Sequence, residues 1–263
     1  MPYWIRQGSG GWRLDVADEL SMDFLRKLRR SAKKADRNAV VLGEVWEDAA
    51  NKEAYGEVRC YCCGDTLDSV MNYPLRSAIL DFASGKSSAM DLVRLIRHQA
   101  EVYPAPFRYS LMNLLGSHDR ARALNALVGR DGEGLSKKQQ AKIKLTNYEY
   151  TLAVKRYKLC LDILCALPGC PTVYYGDEGG VTGCGDPFCR RTYPWGQEDE
   201  ELRSYVRHKL THRRHSTVLR YGFCEVQAVD ADTLRIRRYL DGKQDALGHK
   251  TAVCGEEILT IRR

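Results

Sequence analysis

Five short apolar runs, each followed closely by a polar residue, constrain this chain more than anything else in its 263 residues. The runs read GWRLD, AVVLGE, LDSVMN, SLMNLLGSHD and PTVYYGD, and the polar residues that end them are Asp15, Glu44, Asn72, Asp119 and Asp177. Apolar runs of this length, bounded by turn signals, predict buried strands. Amphipathic stretches separate them. The first has Phe24, Leu25 and Leu28 on one side and Arg26, Lys27, Arg29 and Arg30 on the other. Capping boxes at Ser88 to Asp91 and at Thr146 to Glu149 open two more helices, the second predicted to stop at Pro168-Gly169. Strands that alternate with helices lie parallel and are joined by right-handed crossovers, so the fold class is α/β. An open doubly wound sheet and a barrel both satisfy that pattern. A polar residue at the end of every strand favours a (β/α)8 TIM barrel, whose active site is built from the C-terminal ends of several strands. An open sheet needs such residues only at its switch point.

From about residue 216 the texture changes to short β-type runs, CEVQAV, TLRIRRYL and EEILTI, which predict an antiparallel segment. The expected division is therefore 1–215 for the strand and helix alternation and 216–263 for a separate β piece. With 44% hydrophobic and 29% charged residues, disorder is excluded. No apolar run approaches the roughly 18 residues of a spanning helix, and the N-terminus lacks the pattern of a leader, so no membrane association is expected. The net charge of +7 comes from basic residues mixed with acidic ones, which gives no reason to expect nucleic acid as a partner.

Ten cysteines are too few and too irregular for a disulfide scaffold and point to a reducing, cytoplasmic setting. The groups RCYCCGD and TGCGDPFCR do not supply the two CxxC pairs of a structural zinc site, and no metal or cofactor is expected. His208, His212 and His215 in RHKLTHRRH read as one solvated basic helix face.

Ionisable groups that close buried strands are costly unless paired or used. Three carboxylates converging on one pocket suit retaining glycoside cleavage, in which one acid attacks the anomeric carbon and a second protonates the leaving oxygen, about 5 to 5.5 Å away. Arg13, two residues before Asp15 and on the same side of its strand, is placed to hold Asp15 ionised, while neighbouring acids would keep Glu44 protonated. Carboxylates at barrel strand ends also bind divalent metals or act as bases in isomerases, so spacing alone leaves these readings open.

The segments GGWRLDVADEL, VVLGEVWEDA, LMNLLGSHDRARAL and PGCPTVYYGDEGGVTGCGDPFCRRTYPWG, in that order, resemble conserved segments of the alpha-amylase family of glycoside hydrolases. The likeness is strongest to its neopullulanase, cyclomaltodextrinase and maltogenic amylase group. The resemblance implies that Asp15 is the nucleophile, Glu44 the general acid and base, and Asp119 the stabiliser of the transition state. By the same carry-over Arg13 and His118 hold the nucleophile and the sugar, Trp46 lines the leaving-group side, and Asp186 and Arg190 contact a further glucose. Tyr174 and Tyr175 are as well explained as core aromatics as by stacking on sugar.

The substrate implied is an α-glucan oligosaccharide, cyclomaltodextrin or pullulan. GWRLD resembles the motif on the fourth of eight strands, so the chain is expected to hold strands 4 to 8 and the start of a C-terminal β-domain. The first strand would then present an open edge. This leaves two expectations, a hydrolase that works as a homo-dimer or with a complementing N-terminal half, and a remnant inactive without that half. Gly10 and Gly116 stand where the family usually has aspartate.

Overall fold

The computed structural model describes all 263 residues. In chain order the elements are α1 (Pro2–Arg6), β1 (Gly11–Leu14), α2 (Met22–Ala35), β2 (Val40–Gly43), β3 (Glu53–Ala54), β4 (Glu57–Val58), β5 (Ser69–Val70), α3 (Tyr73–Ser84), α4 (Ala89–Val102), α5 (Ala105–Ser110) and β6 (Met112–Leu114). They continue with α6 (Ala123–Ala126), α7 (Lys137–Gln140), α8 (Asn147–Ala166), β7 (Cys170–Thr172), α9 (Glu200–His215), α10 (Thr217–Tyr221), β8 (Phe223–Ala228), β9 (Thr233–Asp241) and β10 (Cys254–Arg262). The chain divides into two compact units.

The first unit comprises Met1–Pro74, Ile96–Asn113 and Pro168–Cys170. Its sheet runs β1-β2-β5 in parallel, with Gly11 opposite Val40 and Gly43 opposite Val70. A parallel bridge from Met71 to Met112 and a hydrogen bond from the Cys170 amide to the Leu111 carbonyl (2.8 Å) carry the order onward. The first three predicted runs, the start of the fourth and Cys170, just before the fifth, thus follow one another across this unit in sequence order. Close approach dictates two of its glycines. A Cβ at Gly11 would lie 2.0 Å from the Val40 carbonyl oxygen, and one at Gly43 would meet Leu67 at 2.5 Å.

Helix α2 begins where the Ser21 hydroxyl accepts from the Phe24 amide, has Asp23 in its first turn and Lys33 and Lys34 in its last, and buries Met22, Leu25, Leu28 and Ala32. Phe24, expected on the apolar side, lies outside that stripe and is exposed. Asn72 is not free for chemistry. Its amide group exchanges hydrogen bonds with Gln99 (3.2 and 2.8 Å) and donates to Asn113 Oδ1 (3.0 Å), and Asn113 donates to the Pro168 carbonyl (2.7 Å). Each side-chain amide nitrogen in this buried ladder meets at least one acceptor, as a polar interior requires.

The second unit comprises Leu75–Leu95, Leu114–Leu167 and Pro171–Arg263. Helix α8 opens with the expected capping box, Thr146 with Glu149, and buries Ala153, Tyr157, Cys160, Leu161, Ile163 and Leu164. Strands β8, β9 and β10 form the expected antiparallel sheet in the order β10-β9-β8. Arg238 on β9 is fully buried and donates to the carbonyls of Ala166 (2.7 Å), Gly222 (2.8 Å) and Phe223 (3.2 Å), the first being an open carbonyl at the end of α8. His212 on α9 is not simply part of a solvated face: its Nε2 is 2.7 Å from Glu257 on β10.

Two features were not foreseen. The third run yields only two strand residues, and the chain enters helix α3 at Tyr73, with Pro74 in the first turn where its missing N–H costs nothing. In the cysteine-bearing loop, β3 and β4 form a small hairpin whose turn residues, Tyr55 (φ 56°) and Gly56 (φ 73°), both have positive φ, as a two-residue hairpin of the primed type demands.

Candidate active site

In the first unit, the ends of β1 and β2 bring Arg13, Asp15 and Glu44 together. The parallel register sets Arg13 beside Leu42, and the Glu44 amide donates to the Leu14 carbonyl (2.9 Å), so the residues that follow the two strands emerge side by side. Arg13 Nη1 donates to Asp15 Oδ1, and Arg13 Nη2 lies 3.1 Å from Glu44 Oε1. One guanidinium therefore bridges both acids. Their environments differ sharply: the Asp15 side chain is 76% exposed, that of Glu44 4%. The second Glu44 oxygen accepts from the Val16 amide (2.9 Å), and the Glu44 carbonyl accepts from the Ala17 amide (3.0 Å). The expected surroundings of acids are thus replaced by a cation and a backbone N–H.

Val16 itself has φ 40°, a left-handed conformation that a β-branched residue rarely adopts. The turn that carries Asp15 past Glu44 is therefore strained, and such strain persists only where surrounding contacts over-determine it. Those contacts are visible. Beyond Val16, Asp18 accepts at Oδ1 from Tyr61 (2.6 Å) and pairs with Lys52 (3.1 Å), and Arg59 donates to the carbonyls of Asp18 (3.0 Å) and Leu20 (3.2 Å). Two residues past Glu44, the Trp46 ring is partly exposed and stacks on Tyr73, centroids 4.8 Å apart and planes at 20°. Asp48 secures this loop through the Ala50 amide (2.9 Å), His98 (2.6 Å) and Tyr103 (2.7 Å). Burial raises the Asp48 carboxyl, but these hydrogen bonds outweigh it and hold the group below the usual range.

In the second unit, His118 and Asp119 follow β6. His118 Nε2 lies 3.1 Å from Asp119 Oδ2, and Arg190 reaches Asp119 Oδ1 at 3.5 Å. Arg190 also pairs with Asp186 (2.7 Å) and donates through Nε to the His118 carbonyl (3.1 Å), which accepts as well from Cys189 Sγ (3.1 Å). These four polar residues, implied by the resemblance, form one connected group.

Asp177 does something different. It is buried, pairs with the buried Arg122 (2.9 Å), and its carboxyl is pushed up to about 6 by burial, against the opposing pull of Arg122. Arg122 further donates to the Tyr175 carbonyl (2.5 Å) and lies over the rings of Tyr174 (4.2 Å) and Tyr175 (4.9 Å). A Cβ at Gly116 would sit 2.3 Å from Asp177 Oδ2, so the aspartate usual at that position has no room here. Sequence reasoning missed Arg122, which reads as one surface cation among many, and Cys189, whose contact with His118 spans 71 positions.

A cleft of about 750 Å³ in this unit is lined by Tyr150, Arg191, Asp199 and their neighbours, and none of the residues named for catalysis lines it. No group of three or more His, Cys, Asp or Glu is arranged to hold a metal ion, and no helix is long and apolar enough to cross a membrane.

The chain is similar to several known proteins. An amylopullulanase of Thermoanaerobacter thermohydrosulfuricus is 35% identical over 259 residues, covering 92% of this chain and 16% of that enzyme. A cyclomaltodextrinase of Thermoanaerobacter pseudethanolicus is 35% identical over 232 residues, 86% of this chain and 35% of the relative. Among solved structures, the cyclic alpha-maltosyl-(1→6)-maltose hydrolase of Arthrobacter globiformis, in complex with the compound it is named for, superposes with a TM-score of 0.74 at 32% identity, covering 90% of this chain and 47% of that one. A cyclomaltodextrinase superposes at 0.75 with 31% identity, covering 91% of this chain and 37% of its own. The chain therefore spans a part of the (β/α)8 barrel fold that these proteins share, and less than half the length of each of them. Residues 1–220 match the description "Alpha amylase, catalytic domain", and the chain belongs to the alpha-amylase family.

Proposed function

We propose that this chain carries the nucleophile and the general acid and base of a retaining α-glucosidic hydrolysis acting on starch-derived oligosaccharides, cyclomaltodextrins or pullulan. The observation that carries the reading is the Arg13 bridge between one exposed and one buried carboxylate. Exposed Asp15, paired with Arg13, attacks the anomeric carbon. Glu44 protonates the interglucose oxygen as Asp15 bonds to the sugar, then takes a proton from the water that releases it, with retained configuration. For Glu44 to give a proton it must first hold one, and substrate entering against Arg13 and Val16 is the event that would loosen the contacts now occupying its oxygens. Asp119, held by His118 and Arg190, stabilises the positive charge that develops on the sugar ring. Trp46 lines the leaving-group side, and Asp186 and Arg190 bind a further glucose.

In this reading the five strands correspond to strands 4 to 8 of the barrel, and residues 216–263 begin the C-terminal β-domain. Ten cysteines, none in a disulfide, support a cytoplasmic setting. A second reading, a chain silent without a complementing N-terminal half or a second copy, is favoured by one observation: β1 has a single neighbour in its sheet.

Reducing-sugar release from cyclomaltodextrin and maltotriose, measured for the purified chain beside Asp15→Asn, tests the proposal. Release by the parent and none by the variant supports catalysis. Equal release by both would overturn it. Silence in both, with the chain folded, selects the second reading.

A further inference from the structure

The loop between β4 and β5 carries three thiols within four residues, Cys60, Cys62 and Cys63, and the reaction proposed above uses none of them. Tyr61 and Cys62 form the middle of a turn, which sets Cys60 and Cys63 at its two ends. The ends of such a turn lie within about 7 Å of each other between Cα atoms, close to the roughly 4.4–6.8 Å that a disulfide spans. Both Cys60 and Cys62 are close enough to Cys63 to raise its thiol electrostatically. Thr66 Oγ1 pins the turn by donating to the carbonyls of Cys60 (2.9 Å) and Tyr61 (3.2 Å), and Gly64 with φ 87° turns the chain immediately after it. Cys63 is exposed and Cys60 partly so.

We infer that Cys60 and Cys63 form a thiol–disulfide exchange site whose co-reactant is a small soluble disulfide of the glutathione type. The Cys63 thiolate attacks one sulfur of that disulfide; a protein–glutathione S–S bond forms, the glutathione S–S bond breaks, and one glutathione leaves as thiolate. The Cys60 thiolate then attacks the Cys63 sulfur, closing the Cys60–Cys63 bond and expelling the second glutathione. The two protons given up by the protein thiols end on the two released glutathiones, so two protein thiols are oxidised and one external disulfide is reduced. Cys62, directly bonded in sequence to Cys63, would have to close a strained eight-membered ring and stays a thiol.

Burial and the neighbouring thiols push Cys63 above the usual thiol range, which makes the pair a slow partner of the ambient thiol pool, not a rapid peroxide sensor. The loop matters because of what it holds. Arg59 and Tyr61, on either side of Cys60, grip Asp18 and the Leu20 carbonyl, a few residues beyond Asp15. Oxidation would stiffen the brace on which that segment rests.

The full chain should be equilibrated in glutathione buffers from fully reduced to fully oxidised, its remaining thiols alkylated, and its peptides mapped by mass, with circular dichroism as the check of fold. The expected result is loss of two thiols per chain, a Cys60–Cys63 link with Cys62 alkylated, and retention of that link in Cys62→Ser. Cys60→Ser and Cys63→Ser should each abolish the link and leave the remaining member as a mixed disulfide with glutathione. A Cys62–Cys63 link, links only through exposed Cys170 or Cys254, or full alkylation of all three loop thiols in the folded, oxidised sample would each overturn the inference. None of these readouts depends on catalysis, so the glycosidase reading can fail without touching this one.

Discussion

Asp15 with Arg13 and Asp177 with Arg122 are the same chemical pair under opposite conditions. The first is 76% and 32% exposed, the second 2% and 0%. In water an ion pair is worth little and leaves its carboxylate available, whereas in the interior the cost of desolvation approaches or exceeds the attraction. The Asp177 carboxyl records that cost directly, being pushed up to about 6 in spite of an adjacent guanidinium. One pair thus faces solvent and the other holds a loop, although both acids end short apolar runs and look alike in the sequence.

The sharpest way to break this comparison is Asp15→Asn. If the exposed pair is the reactive one, the variant loses activity on cyclomaltodextrin by more than about 10³-fold, roughly 4 kcal/mol of barrier, while its urea unfolding midpoint stays with that of the parent. Next comes Arg122→Met, which strands a buried carboxyl; it is expected to cost about 3–5 kcal/mol of stability, read from denaturant unfolding at neutral pH. A parent-like midpoint would mean that the buried pair holds nothing.

The pH dependence sharpens the contrast further. In the fold Asp177 titrates near 6, against 3.8 for a free aspartate, so between those values the folded chain keeps a proton that the unfolded chain releases. Its contribution to stability is complete below the lower value and is lost as pH rises through the upper one. At about 1.4 kcal/mol per pH unit, the parent should lose on the order of 3 kcal/mol relative to Asp177→Asn between about pH 4 and about pH 6. Parallel stability profiles for the two proteins would contradict the assignment. The smallest effect is expected at Val16. Since the side chain is exposed and its backbone left-handed, Val16→Gly should raise stability by about 1 kcal/mol and lower activity, because the turn that orients Asp15 would no longer be fixed.

What could be read from the sequence, and what could not, follows from the range of the interactions. The five strands, the two capping boxes and the antiparallel tail were legible because periodicity and local hydrogen bonding are short-range signals. Arg13, Asp15 and Glu44 were legible because a strand's alternation and a parallel register place neighbours predictably. The role of Asp177 was not, since nothing near it in sequence says that Arg122 is buried. Nor was α3, because an apolar run that enters a helix after two strand residues looks like a longer strand. The link from Cys189 to His118 depends on tertiary folding alone. Glu44 shows the same limit in miniature: its position was predicted and its company was not.

The outer side of β1 limits what could pair with it. The strand has four residues and one sheet neighbour, and at its first residue the Ser9 hydroxyl donates to the Gly11 carbonyl (2.8 Å) while accepting from the Gly11 amide (3.4 Å). A neighbouring strand docking there would find one end already stoppered, with only a short span left for pairing. Register slippage has little room under such terms. A strand pairing with this edge is left the Asp15 end, so closing the sheet would also cover that exposed carboxylate.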